Sequence, residues 1–173
     1  MTSGAHRVAL TAHVISSVGW CGAVAAFLAL AVAGLSSQDA QMVRGAYLAM
    51  ELTGWFVIVP LSLASLLTGV VLSLGTTWGL FRHYWVLAKI VMTIPAIALL
   101  LLHMQPISRV ARVAAETTLT GAGLGGLRIQ LVAYAAAALV VLLVATVLST
   151  YKPRGWTRYG WRKQQEQRTA SQP

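Results

Sequence analysis

Between Val8 and Thr150 the apolar residues are gathered into four blocks, about 8–35, 47–74, 84–103 and 127–150, separated by short polar connections. An α-helix rises about 1.5 Å per residue, so about 20 residues cross the hydrocarbon core of a bilayer. Each block reaches that length. With 57% apolar and 10% charged residues, against about 25% charged in ordinary soluble domains, the chain cannot cover itself with polar surface. The pattern predicts an all-α fold, a four-transmembrane-helix bundle spanning residues 1–151 as one membrane domain. A basic, disordered cytoplasmic tail, 152–173, follows it.

The net charge of +9 does not point to nucleic acid. Six of the 13 basic residues, Lys152, Arg154, Arg158, Arg162, Lys163 and Arg168, follow the last apolar block. No recognition motif accompanies them. A basic tail beside a span is a topology signal and a contact for anionic headgroups. Four spans put both termini on one side. Arg7, Arg82 and the tail then oppose Arg44, Arg109, Arg112 and Arg128, and the positive-inside rule places both termini in the cytoplasm of a cell-membrane protein. The expected partners are the lipid bilayer and its anionic headgroups, together with a second copy of the chain or another membrane protein.

Several local signals are excluded by spacing. The first block is nearly twice the roughly 7–15 residues of a signal peptide's apolar region, so it reads as a retained span. Cys21 is the only cysteine, which removes internal disulfides and Cys-x-x-Cys sites and leaves it a packing residue. The run "GAGLGG" lacks the Gly-Lys-Ser/Thr ending of a phosphate loop. Pro60 predicts a kink in the second span, since neighbouring groups can satisfy the freed carbonyl. "PISRVARVAAETT", in the connection after the third block, has the spacing of a short amphipathic helix lying on the membrane surface.

Polar residues inside spans carry the functional information. Topology sets His13 and Lys89 at one depth near the cytoplasmic face, with His83 just outside that layer. At the other face Glu51, His103, Arg128 and Gln130 share a level. Lys89 and His103 lie 14 residues apart, on one stripe of the third helix and about 21 Å apart. Glu51, Ser62, Ser65 and Gly69 share a face of the second, and His13, Ser17, Trp20 and Val24 a face of the first. Such polar and small residues line helix contacts in membranes. Lys89 is either an anchor snorkelling to the interface or a buried group, whereas the short His13 ring must find a partner at its depth.

Two cofactor chemistries fit these positions. Haem is held by histidine ligands in membrane bundles. His13 and His103 sit at opposite faces and cannot share one iron, which leaves His13 with Lys89 or His83, or a single histidine ligand, as the cofactor-binding group. Copper suits imidazole and thioether donors, and His103, Met104, Met50 and Glu51 share the outer level as candidate metal ligands. A transporter or channel is disfavoured, because an apolar middle separates the two polar layers.

"LTAHVISSVGWCGAVAAFLAL" resembles the first span of CopD-like membrane proteins, in which tryptophan and a small residue follow a histidine. "LLTGVVLSLGTTWGLFRHYWVLAKIVMT" is similar to the second and third spans of a predicted integral membrane family of unknown function often placed beside them. The resemblance covers about residues 8–103. It implies copper handling or, through the related HemJ type, haem-linked oxidation in which His13 and Lys89 would take part. The expectation is an accessory or structural membrane protein, with a haem- or copper-binding redox protein of CopD-like type as the rival.

Overall fold

A computed structural model describes residues 2–75, 84–116 and 125–151, together with residue 162. All the regular structure among them is helical: α1, Ser3–Ser36; α2, Ala40–Gly75; α3, Tyr84–Glu116; and α4, Gly125–Tyr151. Each is long and apolar enough to cross a membrane. The predicted four-helix, all-α bundle is therefore the fold observed. His83, most of the "GAGLGG" run and nearly all of the basic tail lie outside the described residues.

Neighbours in sequence pack as neighbours in space, and α4 closes the ring against α1. The α1–α2 connection is three residues long and is held by side chains. Asp39 caps α2, its carboxylate accepting from the Gln41 amide at 2.9 Å, and the Ser37 hydroxyl accepts from the Asp39 amide at 3.1 Å. An Asp at this position satisfies one of the N–H groups that a helix start leaves without a partner.

Pro60 does not break α2. The turn immediately before it, Gly54–Ile58, is a π-helix in which the Val59 amide donates to the Gly54 carbonyl. Proline removes one N–H donor and crowds the carbonyl four residues back, here that of Phe56. Widening the preceding turn accommodates the ring while the helix continues. The third helix departs further from expectation. It does not end at His103, and the segment with amphipathic spacing is its continuation, reaching Glu116 with Pro95 and Pro106 inside it.

The core is a contiguous cluster contributed by all four helices. Trp20, Val24, Phe27 and Ala31 supply it from α1, and Val43, Tyr47 and Met50 from α2, at the three- and four-residue steps of a single helix face. Met104 and Val110 of α3 are fully enclosed. The outward surfaces carry Val14, Phe56, Leu67 and Leu102, all exposed. An apolar exterior around a packed interior is the arrangement expected where lipid replaces water.

Candidate functional site

Two polar layers and one apolar cleft are built into this frame. At the end where α1 begins, the His13 ring lies across α2. Its Nδ1 sits 3.1 Å from the Ser65 carbonyl and 3.1 Å from the Thr68 hydroxyl. A carbonyl can only accept, so Nδ1 carries the proton. The Thr68 hydroxyl donates to the Ala64 carbonyl at 2.6 Å, and its oxygen is free to accept from the ring. Gly69 makes room: a Cβ there would stand 3.1 Å from His13 Cε1. Ser17 and Ser65 join their hydroxyls at 2.7 Å one turn further in.

Lys89 belongs to the same layer but faces α4. Its ammonium donates to the Ser149 hydroxyl at 2.7 Å, and that hydroxyl donates in turn to the Ala145 carbonyl at 2.8 Å. Lys89 also lies within electrostatic range of His13. The structure thus brings His13 and Lys89 to one level on opposite seams, each bonded to a hydroxyl of the neighbouring helix.

The layer at the other end is organised by Arg128, near the start of α4. Its Nε donates to the Tyr47 hydroxyl at 2.8 Å, its second guanidinium arm donates to the Gly34 carbonyl, and its Cζ lies 5.7 Å from the centre of the Tyr47 ring. One cation thereby joins α1, α2 and α4. Sequence reasoning placed Arg128 at this level without its partners. The available signal was a lone arginine at the mouth of an apolar block, opposite an aromatic residue with a hydroxyl.

The four candidate metal residues separate by direction. Met50 and Met104 are fully buried in the core, the Met104 thioether lying against Gly54. Glu51, the next residue after Met50, is partly exposed. His103 turns away from both methionines towards α4. Its Nδ1 donates to the Leu99 carbonyl at 2.7 Å, and its ring packs on Tyr134 with centroids 4.1 Å apart at 59°. Among the described residues no group of three or more His, Cys, Asp or Glu side chains is placed to hold a metal ion.

His103 instead lines a cleft between α3 and α4 with a volume of about 290 Å³. The cleft reaches inwards to Trp20 and Phe27 and runs along α3 from Met92 to Ile107. Its origin is legible in the chain: Ala135, Ala137 and Ala138 of the alanine run on α4, with Ala96 on α3, leave space that larger side chains would fill. Pro95 also lines it. His103 lies six residues inside Arg109, and Tyr134 six inside Arg128, which is about 9 Å of helix rise. The histidine is therefore deeper than the rim position expected when the third span was taken to stop there.

These features define the chain as an all-α, four-span membrane protein with a lateral apolar cleft. Comparison with family models, with curated proteins and with solved structures gives no match to it.

Proposed function

We propose that this is an accessory protein of the cell membrane that holds a lipophilic small molecule in the α3–α4 cleft. The supporting observation is the cleft itself, an apolar space reaching the core with a single imidazole on its wall. Largely apolar pockets with few polar groups are the usual form of small-molecule sites. The His13–Lys89 layer serves this reading as structure, fastening α1 to α2 and α3 to α4 beside the cleft. Both termini face the cytoplasm, and the basic tail contacts anionic headgroups.

The test is extraction. Protein purified in mild detergent should release close to one lipophilic molecule per chain into organic solvent. Ala137→Phe, which fills the cleft from its exposed side, should carry none while keeping its helicity and melting temperature. Equal amounts on both proteins would refute the cleft as the site.

A second reading, a haem-binding protein with His103 as ligand in place of the His13 and Lys89 that the CopD-like resemblance implies, is favoured by the His103 Nδ1–H bond to Leu99. Metal-ligating histidines are commonly held by such a bond, which presents Nε2 outwards. A Soret band from cells supplied with haem precursor, absent from His103→Ala, would establish it. Stoichiometric copper in a metal assay would instead favour the methionine and histidine level.

A further inference from the structure

We infer that the molecule held in the cleft is of the quinol class, an aromatic ring bearing a hydroxyl, with that hydroxyl donated to His103 Nε2 and its apolar tail laid between α3 and α4. The inference rests on the lipophilic-ligand reading above and supplies the chemistry of the ligand.

The first ground is the direction of the hydrogen bond. The Leu99 carbonyl accepts from Nδ1, so in the neutral ring Nε2 is an acceptor. No described residue donates to it. A ketone, ester or ether head would set lone pair against lone pair there, whereas a hydroxyl supplies the missing donor. An acceptor facing an apolar wall is better matched by a donor than by another acceptor, so the cleft discriminates between the two kinds of head.

The second ground is the company His103 keeps. The bonded pairs across the bundle, His13 with Thr68, Lys89 with Ser149 and Tyr47 with Arg128, set the levels of the four helices relative to one another. By helix rise they bring Phe27 of α1 level with His103 and Tyr134. Three rings at one level of the wall suit an aromatic head, which gains from tilted and edge-on ring contacts. Below that level, towards Met92, the wall is mostly aliphatic, with Ala96, Ala138, Val141 and Leu142 around the single ring of Trp20. The polar group and most of the aromatic surface are thus gathered at the His103 level. Tyr134 and Ala137 line the cleft and are also exposed on the bundle surface, giving a lipid-borne molecule sideways entry.

The experiment measures binding to the purified full chain in detergent by equilibrium dialysis. The probes are a decyl-substituted hydroquinone kept reduced, its dimethyl ether and a long-chain primary alcohol. The hydroquinone should bind about tenfold or more tightly than the ether, the ratio that about 1.4 kcal/mol represents, and more tightly than the alcohol. His103→Phe should erase the preference, and His103→Gln, whose amide oxygen accepts, should keep part of it, with circular dichroism showing both folded. Equal affinity for hydroquinone and ether, tighter binding of the alcohol, or a Soret band lost in His103→Ala would overturn the inference. Equal affinities that Ala137→Phe abolishes would overturn it while leaving the lipophilic-ligand reading intact. No binding of any probe, with no lipophilic molecule extracted, would remove both.

Discussion

At the residue scale, Lys89 illustrates how a membrane bundle handles an ammonium group. The sequence offered an anchor reaching for water or a buried cation, and the structure directs the group to Ser149 of the adjacent helix. That hydroxyl is already committed as a donor to Ala145, so it is oriented to accept. Hydrogen bonds between membrane helices are worth about 0.6 kcal/mol on average and at most about 1.7. A double-mutant cycle of Lys89→Met with Ser149→Ala should show coupling in that range, measured from unfolding in mixed micelles. The cycle of Lys89→Met with His13→Ala should show less, since no hydrogen bond joins that pair. A larger coupling for the histidine pair would contradict the arrangement described.

At the element scale, α2 carries the π-turn and, at that turn, a close contact with α3. Gly54 opens the π-turn and faces Met104, and a Cβ there would come within 2.7 Å of the Met104 methyl. Met104 is fully enclosed, so its side chain has little space into which to move. Gly54→Ala should destabilise the protein by about 1–3 kcal/mol, the usual cost of overpacking. Met104→Ala in the same chain should recover part of the loss, giving a clear departure from additivity in thermal unfolding. Simple additivity would mean that the two residues do not meet.

The same elements show where sequence reasoning reaches its limit. Helical phase alone put Lys89 and His103 on one stripe, and both do face α4. It likewise put Ser65 and Gly69 on one face of α2, the face that receives His13. What phase cannot supply is the identity of the neighbour, because a stripe has a direction only once the order of helices around the bundle is known. Ser149 and Tyr134 were therefore missed as partners. The depth of His103 was misjudged for a different reason. The third block is bounded at His103, where the continuous apolar run ends, yet neighbouring helices can support a proline inside a membrane helix, and α3 continues for ten residues beyond Pro106.

At the scale of the whole molecule, four helices in an up-and-down ring leave the start of α1 and the end of α4 at the same end of the bundle. With Cys21 as the only native cysteine, a Cys21→Ala background permits a direct check. Thr2→Cys and Ser171→Cys should both react with an impermeant thiol reagent only after cells are opened, while Gln38→Cys, in the α1–α2 connection, should react in intact cells. Opposite labelling of the two ends would exclude an even number of spans.

The pairs Lys89–Ser149 and His103–Tyr134 act together as two dowels between α3 and α4. They are 14 residues apart on one helix and 15 on the other, so α4 can neither slide nor roll on α3 without withdrawing one of them. Most of the cleft lies between these pins. From His103 to Met92, where its α3 wall ends, it is a gauge of about 16 Å of helix rise against which the tail of any occupant is measured: a shorter one leaves a void, and a longer one must turn out into the lipid.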